Sequence, residues 1–144
     1  MFEMFQFSVA VLPFIGIAIL NFFGSWVYYS PISPFFKQWQ LALGMDPNKR
    51  QMTEEDKKNM PRLFGGAIVS SFLLSYGLQF FVKNLLLETC SEGVIVGGVI
   101  WVAFAVTQSL NTQFEGRKPV VLVINNIWYL VTYALLGGLA AVWR

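Results

Sequence analysis

Few residues in this 144-residue chain could do chemistry. There is no histidine, so the commonest general base and metal ligand is missing. The single cysteine, Cys90, cannot close an intrachain disulfide or build a thiolate cluster. With no His or second Cys beside it, Cys90 reads as a space-filling residue near a helix end rather than a redox group. What remains is amide and hydroxyl chemistry at Asn21, Ser70, Ser71, Thr107, Gln108, Asn111, Asn125 and Asn126, and one acid–base pair, Glu115 with Arg117. No nucleophile stands beside a base, no residues have metal-ligand spacing and no glycine-rich phosphate cradle appears. The expectation is a protein that is not an enzyme and carries no metal and no cofactor. The net charge of +2 is too small to suggest a nucleic-acid partner.

The elements that must hold those side chains are membrane spans. The chain is 56% hydrophobic, 17% aromatic and 12% charged, where a soluble domain carries about 25% charged residues. A span needs about 20 mostly apolar residues. Four runs meet that length, at about 7–29, 63–87, 93–112 and 119–143, leaving one sizeable loop, 30–62, and no room for a soluble domain. Residues 1–144 therefore read as a single transmembrane domain. Runs of this kind must be helices, because lipid offers no partner for backbone polar groups. Met1-Phe2-Glu3-Met4 lacks the positive start of a signal peptide, and the first run is expected to be a retained span.

Helix punctuation agrees. Ser30-Pro31 should stop the first span. Pro61 and Pro119 stand where a first-turn proline is tolerated, at the starts of the second and fourth. In the long loop, Ser33-Pro34 followed by Phe35, Phe36, Trp39 and Leu43 at helical spacing, with Gly44 as a stop, predicts a short amphipathic helix. It should lie in the interface or fold back on the bundle as a lid. Thr53-Glu54-Glu55-Asp56 resembles a capping box with Asp for the usual Glu, predicting a short exposed turn. The fold expected is an all-α membrane four-helix bundle with an interfacial helix between spans one and two.

Orientation follows from Lys and Arg. Lys37, Lys49, Arg50, Lys57, Lys58, Arg62, Arg117 and Lys118 fall in the two loops on one side, and only Lys83 and Arg144 on the other. Both termini should therefore be non-cytoplasmic. Small residues spaced by four, Gly93 with Gly97, Gly66 with Ser70, Ser71 with Ser75 and Gly137 with Ala141, should mark close helix contacts within the bundle rather than a dimer interface.

No Asp, Glu, His or Arg lies at mid-membrane, where ion and proton transporters usually place an ionisable group. At a rise of about 1.5 Å per residue, Asn21 is about 12 Å and Asn125 about 9 Å from the cytoplasmic helix ends. Ser70 and Ser71 lie about 10–12 Å deep, and Gln108 and Asn111 within about 6 Å of their end. These polar groups thus gather in the cytoplasmic half. The outer half should be apolar apart from Gln79 and Thr132. An amide in hydrocarbon is costly unless hydrogen-bonded. Asn21, Ser70, Ser71, Gln108, Asn111 and Asn125 therefore either form an interhelical network or line a recess open to the cytoplasm.

Two groups of residues resemble the DUF1761 family of uncharacterised membrane proteins. The first is Tyr28-Tyr29-Ser30-Pro31 with Phe35-Phe36-Lys37-Gln38-Trp39 and Gly44. The second is Ser109-Leu110-Asn111, Phe114-Glu115-Gly116-Arg117, Ile124-Asn125 and Tyr129. Tyr28 stands for the Trp of the family's Trp-Tyr-Ser-Pro, and Phe36-Lys37 lacks an intervening Gly. The resemblance implies four spans and no particular activity. Phe114 to Pro119 reads as a tight interfacial turn, in which Glu115 pairs with Arg117 or Arg117 meets a lipid phosphate. Tyr28, Tyr29, Trp39 and Trp143 fit interfacial aromatic belts. Two functions stay open. One is a module that binds or passes a small neutral or amphipathic molecule. The other is an accessory or structural subunit of a larger membrane complex. The partners expected are membrane lipids and, in either case, further copies or other subunits.

Overall fold

The computed structural model describes residues 5–46 and 54–143. Five helices carry the fold: α1 (Val11–Tyr28), α2 (Phe36–Ala42), α3 (Glu54–Asn84), α4 (Cys90–Glu115) and α5 (Pro119–Val142). No strand occurs among the described residues. All but α2 are long and apolar enough to cross a membrane. The architecture is the expected all-α bundle, with the short helix between the first two spans.

Local chemistry sets the helix ends. The chain leaves α1 through a corner at Ser30, whose Oγ donates to the Val27 carbonyl (2.7 Å) and accepts from the Ile32 N–H (3.3 Å). α2 stops at Gly44, which is left-handed (φ +77°). There the Met45 N–H reaches the Gln40 carbonyl and the Gly44 N–H the Leu41 carbonyl, the paired bonds of a Schellman stop. α4 opens on a capping box: Thr89 Oγ1 accepts from the Glu92 N–H, and the Glu92 carboxylate accepts from the Thr89 N–H. α5 begins with Pro119 in its first turn, as expected.

Three features depart from the sequence reading. First, α1 begins at Val11, and residues 6–10 run as non-helical chain beside α3. Backbone groups outside a helix need partners, and α3 supplies them. Asn84 exchanges hydrogen bonds with the backbone of Gln6 (2.8 and 3.0 Å), and Gln79 Oε1 accepts from the Ala10 N–H (3.1 Å). Lys83 Nζ donates to Ser8 Oγ (2.6 Å).

Second, α3 starts before Pro61, which lies inside it. Glu54, Glu55 and Asp56 occupy its first turn, where carboxylates oppose the helix dipole, and Lys57 pairs with Glu54 (2.7 Å). Those groups offset part of the cost of an interior proline. Thr53, the first residue of the expected capping box, is outside the described residues.

Third, α4 is not uniform. It is α-helical over Cys90–Ile100, widens to a π-helix over Trp101–Val106, returns to α over Thr107–Asn111 and tightens to 3-10 over Thr112–Glu115.

α1 lies against α3, and α4 against α5, while α5 also touches α1 and α3. The α4–α5 contact depends on glycine. A Cβ on Gly93 would fall on the Gly137 carbonyl, and one on Gly97 on the Tyr133 carbonyl. The GxxxG pair is thus used inside the chain. Ser71 and Ser75 likewise face α1, Ser75 donating to the Phe14 carbonyl (2.8 Å). Gly66 by contrast meets nothing within 4 Å. The core centres on Ile17, Leu78 and Ala140, ringed by Leu74, Val82, Ile100, Leu136, Leu139 and Trp143. α3 and α4 follow each other in the chain yet make few contacts, so the bundle is open between them.

Candidate functional site

At the α2 end of the bundle, polar side chains of α1, α3 and α5 join in pairs. Asn21 is buried and its Nδ2 donates to Ser71 Oγ (2.9 Å), which in turn donates to the Ala67 carbonyl (2.9 Å). Trp128 Nε1 donates to Ser25 Oγ (3.1 Å). Tyr28 OH donates to the Ile124 carbonyl (2.8 Å) and Tyr29 OH to Asn125 Oδ1 (3.0 Å). The two groups of family-like residues thereby meet, the exit of α1 docking on Ile124-Asn125. Aromatic rings close the joint, Tyr28 stacking on Trp128 (4.9 Å between centroids) and Tyr29 against Trp39 (5.1 Å). These rings serve as structural pins. Trp143, placed in a belt by sequence, instead packs into the core beside Gly16.

Between α1, α3 and α5 this network leaves a half-enclosed recess of about 340 Å³. Asn21 and Ser25 line it from α1, Tyr29 from the residue that caps α1, Ser70 and Ser71 from α3, and Trp128, Thr132 and Tyr133 from α5. Its wall holds no Asp, Glu, Lys or Arg. Thr132 is 4% exposed, and its Oγ1 has no hydrogen-bond partner among the described residues. A chamber with amide and hydroxyl groups, aromatic walls and no charge suits a neutral guest bearing a hydroxyl or carbonyl, and does not suit an ion.

The expected layer is only partly assembled. Asn21, Ser70 and Ser71 come to the recess, although Ser70 also faces outward. Asn125 is near but spent on Tyr29. Gln108 and Asn111 are exposed on the outer side of α4 and do not line the recess; their height in the bundle is suitable and their face is not. Thr107 is also exposed, its Oγ1 on the Val102 carbonyl (3.4 Å). Asn126 Nδ2 returns to the Leu122 carbonyl of its own helix, while the Asn126 carbonyl accepts from Trp101 Nε1 (3.1 Å). Glu115 and Arg117 pair with each other across left-handed Gly116 (3.2 Å), half-exposed and apart from the recess.

The far end is more polar than expected. Gln79, Lys83 and Glu88 line a second cavity of about 330 Å³ with Ser8 and Trp143. The chain ahead of α1 creates it, and a hydropathy window treats that stretch as span. The spacing of Gln79, Lys83 and Asn84 on one face of α3 was the available signal. Cys90 opens α4 and is exposed, its Sγ close to Gly138. Among the described residues no cluster of His, Cys, Asp and Glu could hold a metal ion.

Four apolar helices joined by short turns and one longer loop define a multi-pass α-helical membrane protein. The family model described as "Protein of unknown function (DUF1761)" matches residues 12–141, nearly the whole chain, and the protein belongs to that family. No curated protein and no solved structure matches it.

Proposed function

We propose that the protein is a small membrane module that holds a neutral or amphipathic small molecule in the recess between α1, α3 and α5. One observation carries this reading: an uncharged chamber with aromatic walls is lined by Thr132, whose buried Oγ1 is satisfied by no group among the described residues. Such a group costs free energy unless something else bonds it. The lysine and arginine bias of the sequence supports a recess that faces the cytoplasm, with both termini on the opposite side. The reading assigns the module no catalytic step.

A second reading, an accessory subunit, draws on two other facts. Most of the polar groups are already satisfied within the chain. Only 11% of the most apolar stretch of α4 is buried, against 28% for α5, so its outward face is available to lipid or to a neighbouring subunit.

Purification in mild detergent, followed by mass spectrometry of what accompanies the protein, separates the two. On the first reading a small molecule is recovered in near-stoichiometric amount, and Ala67→Leu, which fills the recess, reduces it at least about tenfold. Recovery unchanged by Ala67→Leu and Thr132→Val sinks that reading. A stoichiometric protein subunit in place of a small molecule establishes the second.

A further inference from the structure

The recess does not end at Tyr133. Beyond it, where α3 and α4 stand apart, lies a separate half-open cleft of about 300 Å³. Its walls are Leu73, Leu74, Gly77, Leu78 and Phe81 of α3 and Ile100 of α4. Ser70, Leu74 and Tyr133 also line the recess, so the two cavities share a wall. The cleft is lined mainly by apolar side chains, follows α3 from Ser70 to Phe81 and lies where α3 and α4 make few contacts.

Beyond one end of this cleft, basic residues on the same face of α3 point to its occupant. Residues 62, 66, 70, 73, 77 and 81 fall on one face of α3 by helical spacing. Arg62 is therefore aligned with the cleft, about 12 Å above Ser70. Arg62 and Lys58, one turn earlier, are exposed, and neither makes an ion pair among the described residues. Between Arg62 and Ser70 the face is bare: a Cβ on Gly66 would meet nothing within 4 Å, and the same holds for Gly77 within the cleft. Gly66 to Gly77 spans about 16 Å along the axis, close to half of the roughly 30 Å hydrocarbon thickness. A lipid of one leaflet has these dimensions. Its phosphate would stand at the level of Arg62 and Lys58, its ester region beside Gly66, and one acyl chain in the cleft.

We infer that the α3–α4 cleft is a seat for one anionic phospholipid of the leaflet on the basic side, with Arg62 as its phosphate contact and Gly77 as the floor of its chain slot. The acyl chain passes Ser70 and Tyr133 and so completes the lateral wall of the recess. The seat does not depend on the recess having a guest.

Native mass spectrometry of the delipidated full chain, titrated with phosphatidylglycerol or phosphatidylcholine, tests the seat. One phosphatidylglycerol adduct should form first, with about tenfold preference over phosphatidylcholine. Juxtamembrane basic residues contribute about 1 kcal/mol each, or about fivefold, so Arg62→Gln should reduce that preference about fivefold. Gly77→Leu should abolish the first adduct, and it replaces glycine with a better helix former, so the fold should survive. Gly98→Leu, on a helix position about 200° from Ile100 with nothing within 4 Å, should bind as the wild type does.

Equal binding of the two lipids with no effect of Arg62→Gln overturns the anionic assignment. Undiminished binding by Gly77→Leu overturns the location. A dimer peak that replaces the lipid adduct shows that a second copy of the chain covers the cleft, and overturns the seat itself. Gly77 lines only the cleft and Ala67 only the recess, so loss of either proposal leaves the other standing.

Discussion

Leu86 is the one described non-glycine residue with positive φ, at +53°. It ends α3 in the same way that Gly44 ends α2: the Leu87 N–H reaches the Val82 carbonyl and the Leu86 N–H the Lys83 carbonyl. A Cβ in that conformation costs roughly 1–2 kcal/mol. The side chain recovers little of it, being 79% exposed. Leu86→Gly is therefore expected to stabilise the protein by about 1 kcal/mol once glycine's greater freedom in the unfolded chain is subtracted. Thermal unfolding in detergent reads this directly, and a lowered midpoint would show that Leu86 packs more than its exposure indicates. Asn21 and Ser71 allow a second measurement at this scale. A double-mutant cycle over Asn21→Ala and Ser71→Ala should give a coupling of about 0.6 kcal/mol, the average for side-chain hydrogen bonds between membrane helices. Zero coupling would mean that the bond contributes nothing in the membrane.

Between helices, backbone contact at the glycines matters most. A methyl group on Gly97 must displace the Tyr133 carbonyl, and one on Gly93 the Gly137 carbonyl. Either alanine substitution should cost about 1–3 kcal/mol, the usual range for overpacking. Gly66→Ala, in open space, should be neutral or slightly stabilising through helix propensity. Unfolding curves for the three variants in one detergent test this, and a Gly97→Ala protein as stable as Gly66→Ala would dissolve the contact. The GxxxG contact was legible in sequence because small residues at i and i+4 have few other reasons to recur in a span. Gly44 was legible because a helix stop needs a left-handed residue. The starts of α1 and α3 were not. Hydropathy cannot distinguish helix from a non-helical apolar stretch such as residues 6–10, and a rule that reads proline as a helix start does not see that the acidic first turn of α3 offsets part of the cost of an interior Pro61. The site was half legible for a geometric reason. Counting residues along a helix gives height, whereas joining a recess requires the right face. Asn21 and Ser71 met both conditions, and Gln108 and Asn111, beyond the π-helical stretch that rotates α4, met only the first.

The whole molecule has two ends of different character, and its orientation in the membrane decides which compartment each one meets. By sequence, eight of the ten Lys and Arg residues fall between the apolar runs of the first and second spans or of the third and fourth, and lysine and arginine bias of this size sets topology in short-looped proteins. The far end carries Lys83, already engaged with Ser8, and the exposed Cys90. Cys90 is the chain's own reporter, since no other thiol is present. In sealed membranes whose non-cytoplasmic face is outward, a membrane-impermeant maleimide is expected to label Cys90 without permeabilisation. In a Cys90→Ser, Lys58→Cys protein, labelling should require the membrane to be opened. The reverse pattern would place the recess mouth and Arg62 on the outer side, and the lipid in the cleft would then have to come from the outer leaflet. Lipid selectivity and sidedness are thus linked. In most membranes anionic phospholipid is richer on the cytoplasmic side, so a phosphatidylglycerol-selective cleft combined with outward-labelled Cys90 would be mutually consistent. A selective cleft on an inverted protein would leave Arg62 facing the leaflet poorest in its ligand.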